Sequence, residues 1–238
     1  MRTSRALLAA LAGAQVAYGR APGERGPGAT RGLVLLMLGT SVAEAAEARR
    51  AGPVAAAGAI GFAAELAGVA TGKPFGHYHY SGKLGPRVGG VPVLAAAAWA
   101  MMARPAWVAA GWIAPRRAQR IPLAAAALTA WDVFLDPRMA REGYWSWPGG
   151  GRYEGIPASN FLGWWVTGLG VFGAWSLMEP EPPDARDDGA LALYAWTWAG
   201  ETFANAALWR RPRVAAAGAA AMGAVAVPAL RRRLGGRR

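Results

Sequence analysis

Eight apolar blocks fill most of this chain, at residues 6–18, 32–48, 53–70, 91–113, 121–135, 161–178, 190–209 and 214–230. Within them the hydrophobic residues run on continuously and do not form stripes of helical period, which is the pattern of helices with apolar surroundings on every side. A bilayer core of about 30 Å takes roughly 20 apolar residues to cross as a helix, and several blocks approach that length. Of the 238 residues 54% are hydrophobic and only 17% charged. The modest mean hydropathy of +0.16 reflects alanine and glycine, which score low yet suit closely packed helices. We therefore expect an all-α fold: a polytopic transmembrane helical bundle of seven or eight spans, forming one integral-membrane domain over residues 1–238. The first block is short, and Arg2 and Arg5 ahead of Ala12-Gly13-Ala14 fit a first span or a signal peptide equally.

The formal charge is +12, carried largely by arginine pairs between blocks (Arg49–Arg50, Arg116–Arg117, Arg210–Arg211) and by a basic tail over 231–238. Arginines so placed suit anionic lipid headgroups of the bilayer, and no nucleic-acid reading motif accompanies them. Near-equal Lys and Arg counts on the two sets of loops leave absolute orientation weakly set, leaning to cytoplasmic termini, and the cytoplasmic membrane is the expected location. Zero cysteines exclude disulfides, thiolate catalysis and cysteine-ligated metal. The acidic, proline-rich connector 179–188 reads as a solvated turn.

Alternating the spans gathers the chemistry at one face. Glu65, Asp132, Asp136 and Glu201 all lie within or at the ends of spans on that side. Asp132 and Asp136 are spaced i, i+4 on one helix face, as are Glu201 and Asn205. Asn160 opens the sixth span. An unpaired acid at the centre of a span costs roughly 2.5–3.5 kcal/mol, so such acids must be paired, protonated or beside a wet cavity. His77, Tyr78 and Tyr80 stand in a Gly/Pro-rich loop, and Trp145, Trp147, Tyr153, Trp164 and Trp165 cluster around the next one. They form an aromatic cap that can line a tunnel for an apolar substrate and face a cation formed during reaction. The chain's two histidines are too few for a membrane diiron site, and no metal is expected. Asp132-x3-Asp136 looks like half of a magnesium–diphosphate motif, but the matching acids at 184–188 fall on the opposite face.

These segments resemble the integral-membrane carotenoid hydratases that add water to the C1′=C2′ end of an acyclic carotenoid. The resemblance rests on Glu65, the run Thr71-Gly72-Lys73-Pro74-Phe75-Gly76-His77-Tyr78-His79-Tyr80, Leu84-Gly85-Pro86, Gly90-Val91-Pro92, Asp132-x3-Asp136-Pro137, Trp145-x-Trp147, Gly151-x-Tyr153-x-Gly155-Ile156-Pro157 and Asn160-Phe161-x-Gly163-Trp164. It covers about the middle half of the chain. It implies hydration of a linear C40 or C50 substrate without cofactor or redox step, with a carboxylic acid protonating C2′ and water adding to the tertiary cation at C1′. On that reading Asp132 is the donor, Asp136 or Glu65 orients water, and Asn160 and Glu201 support them. Trp164 and Trp147 then lie nearest the cation. Partners would be the carotenoid, water and the bilayer, with room for association with other enzymes of the pathway. A carotenoid cyclase shares the first step, and a transporter or scaffold is the alternative outside catalysis.

Overall fold

The computed structural model describes residues 2–21 and 26–235. Residues 22–25 of the first connection and 236–238 of the basic tail lie outside them. Eight long helices follow in order: α1 (Thr3–Arg20), α2 (Pro27–Glu47), α3 (Gly52–Thr71), α4 (Leu94–Ile113), α5 (Arg117–Arg141), α6 (Ala158–Met178), α7 (Asp188–Phe203) and α8 (Pro212–Gly235). Each coincides with one apolar block. Four of them, α2, α3, α6 and α8, are long and apolar enough to cross a membrane.

The other four carry more polar residues or fewer strongly apolar ones, and burial explains how two of these are accommodated. Helix α4 packs against α2, α3, α5, α7 and α8, and α5 against α4, α6 and α8. Nearly every residue of α4 from Ala95 to Gly111 is buried, Arg104 and Pro105 included. The Arg104-Pro105 pair thus neither ends the helix nor turns it to an interface.

The buried guanidinium of Arg104 is met by three carboxylates from two other segments. It bonds Glu44 of α2, donates to Asp187 at 2.7 Å, and stands 3.6 Å from Glu179. Arg50 reaches Glu179 at 2.9 Å, and Arg120 lies over the Trp107 ring while donating to the Glu181 carbonyl. The connector 179–188 is therefore not the solvated turn its composition suggests: Asp187 is fully buried and Glu179 nearly so. A charge removed from water needs a counter-charge and hydrogen bonds, and Arg104 supplies both to the connector.

At the other end the two long loops join. Strand β1 (His79–Tyr80) pairs antiparallel with β4 (Trp145–Ser146), placing Tyr80 opposite Trp145. Between them in sequence, β2 (Arg87–Val88) and β3 (Val91–Pro92) form a hairpin whose turn, Gly89-Gly90, has positive φ at both residues, the geometry of a tight hairpin turn. Helix α3 stops at Gly72, at φ +76°, whose N–H returns to the Gly68 carbonyl and sends the chain into this cap.

Candidate active site

Beneath the paired loops lies a chamber of about 50 Å³, bordered by Glu65 from α3, Asp136 from α5, Asn160 and Trp164 from α6, and Tyr78, Tyr80, Trp145 and Trp147 from the cap. The volume holds about three or four waters. Its remaining walls are hydrocarbon, from α2, α4, α5 and the cap, with Leu94, Met101, Met139 and Phe75 among them.

Glycines let the walls close. A Cβ on Gly61 would sit 2.0 Å from the Trp99 ring, and one on Gly163 would lie 2.8 Å from the Pro74 carbonyl oxygen. Without side chains there, α3 admits Trp99 and α6 admits the start of the cap loop. Trp99 then stacks on Trp164 with ring centroids 4.0 Å apart, and Trp131 meets Trp164 edge-on at 6.2 Å.

Glu65 is held by three donors. Tyr78 and Tyr80 hydroxyls donate to Oε2, the latter at 2.8 Å, and the Trp99 indole donates to Oε1 at 3.1 Å. Burial, reinforced by the Glu65 charge, pushes both tyrosine hydroxyls well above their ordinary range, so they remain donors. The ionised, acceptor-only form of Glu65 satisfies all three.

Asp132 and Asp136 are arranged differently. The side-chain amide of Asn160 bridges them, donating to Asp132 Oδ2 at 2.9 Å and to Asp136 Oδ2. Trp145 donates to Asp136 Oδ1 at 2.9 Å. Oδ1 of Asp132 has no N–H or hydroxyl donor, and the two carboxyls are within hydrogen-bonding reach of each other. Two carboxyls buried this close without a cation disfavour one another's charge, and a proton held between them relieves that repulsion. Among the described residues no lysine or arginine forms an ion pair with Glu65, Asp132 or Asp136. Asp136 faces the chamber, and Asp132 is fully buried behind Asn160.

The remaining expected site residues lie elsewhere. Glu201 pairs with Arg138 at 3.2 Å in a separate cavity of about 260 Å³ bordered by α1, α2, α5 and α7, and Asn205 donates to the Glu201 carbonyl at 2.9 Å. Having Arg138 as its nearest cation, Glu201 turns away from the other acids. His77 is exposed, with its ring against Gly72. Tyr153 donates to the Val133 carbonyl at 2.9 Å and packs on Phe161. Burial, with Glu154 nearby, pushes its hydroxyl up to about 12. Trp165 donates to the Pro122 carbonyl at 3.3 Å, away from the chamber. Among the described residues no group of three or more His, Cys, Asp or Glu is placed to hold a metal ion.

One site residue and one structural cluster are not legible in the sequence. Trp99 lies inside an apolar block and was indistinguishable there from core, although the facing Gly61 is a trace of its bulk. The partners of Arg104 were also hidden, although a lone arginine inside an apolar block demands carboxylates somewhere.

The carotenoid biosynthesis protein family model matches residues 31–227. The chain belongs to this family. The match reaches beyond the segment from Glu65 to Trp164 that carried the resemblance, taking in α2 through most of α8. No curated protein and no solved structure matches the chain. Membership gives this protein a part in carotenoid biosynthesis, and its chamber combines hydrocarbon walls with a few convergent polar groups, the character of a small-molecule site.

Proposed function

We propose that this carotenoid biosynthesis protein is a hydratase of the cytoplasmic membrane, crossing it with seven or eight helices and adding water across the terminal C1′=C2′ bond of an acyclic carotenoid. The observation that carries the reading is the division of three acids without an ion-pairing lysine or arginine among the described residues into two kinds: Asp132 and Asp136, bridged by the Asn160 amide with Asp136 at the chamber, and Glu65, which borders the same chamber and accepts from three donors.

The pair supplies the acid. With the end group in the chamber, the Asp136 proton moves to C2′, the π electrons form the new C–H bond, and a tertiary cation remains at C1′. Trp164, stiffened by its stack on Trp99, and Trp147 present ring faces to that charge. Water held near Glu65 and Tyr80 adds its oxygen lone pair to C1′, and the proton it sheds passes to Glu65. The product is a tertiary alcohol. A proton returning through chamber water from Glu65 to the aspartate pair resets the site. The sequence is acid–base from end to end, carried by side chains and water. Because Asp136 borders the chamber, we assign it as donor and Asp132 as the residue that holds its proton in place, where the sequence led us to expect Asp132 as the donor and Asp136 or Glu65 as the group that orients water.

Expression in a lycopene-producing host tests the reading. Extracted pigments should become more polar and gain the mass of one water for each hydrated end. A pigment of altered retention and unchanged mass would identify a cyclase instead, and unchanged pigment with properly inserted protein would overturn the hydratase.

A further inference from the structure

Helices α2 and α3 both lean on α4 and leave a cleft between them on the outer surface of the bundle. It encloses about 630 Å³ and is lined almost wholly by hydrocarbon. Ala55 and Ala59 on α3 are exposed along it, one helical turn apart. The floor is smooth because Gly58 lies flat against α4, where a Cβ would approach the Ala96 carbonyl oxygen to 3.3 Å. From Ala51 to Phe62 along α3 the groove runs about 16 Å. Its upper end adjoins the acid chamber, and Leu94 borders both.

The geometry points to this groove as the berth of the substrate's polyene body, with Leu94 as the gate through which only the terminal alkene passes to the acids. The assignment rests on the hydratase reading for the chemistry at the chamber, while the groove itself stands on shape and continuity. The chamber, at about 50 Å³, is far too small for a long carotenoid, so most of that molecule must lie outside it. The loops above are closed by the β1–β4 pairing and the tyrosine bonds to Glu65. A hydrocarbon of this length must therefore leave sideways toward lipid, and the groove is the apolar surface that begins where the chamber ends. Its few polar atoms offer nothing to a lipid headgroup, and its axis follows α3, so the chain would lie along the helices with its reacting end uppermost.

Ala59→Trp fills the groove from an exposed position without touching the acids, and Leu177→Trp, on the exposed face of α6, is the control. Kinetics are measured in nanodiscs on two probes: lycopene, and geraniol, a short isoprenoid with the same terminal alkene and too little body to extend along the groove. The expected result for Ala59→Trp is a rise of about tenfold or more in KM for lycopene, with kcat for lycopene and turnover of geraniol unchanged. Leu177→Trp should behave as the unsubstituted protein. An unchanged KM for lycopene would show that the groove holds only bulk lipid. A changed oligomeric state with unchanged kinetics would show that it receives a second copy. Either overturns the proposal. If the unsubstituted protein hydrates neither probe, the hydratase reading fails by itself, and lycopene retained per protein after repurification decides the groove. Retention that Ala59→Trp abolishes supports it, and no retention, or retention unaffected by the substitution, refutes it.

Discussion

Exchanging each aspartate of the pair for asparagine separates the proton donor from the group behind it. Both side chains are nine-tenths or more buried and asparagine matches each in shape, although at Asp136, whose two oxygens both accept, its NH2 must also displace a donor from Trp145 or Asn160. Only Asp136 reaches the chamber. Its replacement deletes the acid itself, an effect of about 10²–10⁴ in rate for general acid catalysis. Replacing Asp132 leaves the donor and removes one charged hydrogen-bond partner. That interaction contributes about 1.5–3 kcal/mol, which corresponds to roughly ten- to 150-fold in kcat. The assay is kcat on lycopene in nanodiscs, with product resolved by chromatography and mass, and thermal melting to show that both variants fold. Loss in Asp132→Asn equal to or greater than in Asp136→Asn would refute the assignment of the chamber-facing carboxyl as donor.

Trp99→Phe keeps the ring stacked on Trp164 but deletes the donor to Glu65 Oε1, and should lower kcat about tenfold with KM nearly unchanged, as read by the same assay. Arg104→Met leaves Glu44 buried without its cation and Asp187 with Arg50 alone, at 3.8 Å; a loss of about 3–5 kcal/mol should appear as a much lower melting temperature in detergent. The specific activity of its folded fraction should hold, because no member of that cluster borders the chamber. In the connector, the hydrogen bond from Arg186 draws the Asp184 carboxyl from its ordinary 3.8 down to about 2. A depressed folded value means stability that is present above the unfolded value and lost as pH falls through the folded one. Melting curves of the unsubstituted protein and Asp184→Asn should therefore converge between pH 3.8 and about 2, by a small margin because the pair is exposed.

Much of this architecture was written in the chain. The blocks located all eight helices because an apolar run of that length has no other way to satisfy its backbone, and span alternation sorted the loops into the two ends at which they are found. Glu65, Asp136, Asn160 and the tyrosine–tryptophan cap came together for the same reason. Direction around a helix axis was not legible. Glu201 stands at the right depth but faces Arg138, and Trp165, next to Trp164, points to Pro122. Continuous hydrophobicity erases the period that would have told one face from another. The connector 179–188 misled because composition records charge but not its partner, and that partner was an arginine some eighty residues earlier.

The enclosure of α4 bears on how such a protein is made. Its single arginine would weigh against entry into lipid by about 2.5–3.5 kcal/mol at a helix centre. Glu44 precedes it in the chain and Asp187 follows. During synthesis one counter-ion is thus already waiting when this segment leaves the ribosome, and the second arrives later to lock it. Assembly would then be stepwise, with α2 and its carboxylate made before α4 and the connector that closes the cluster made after it.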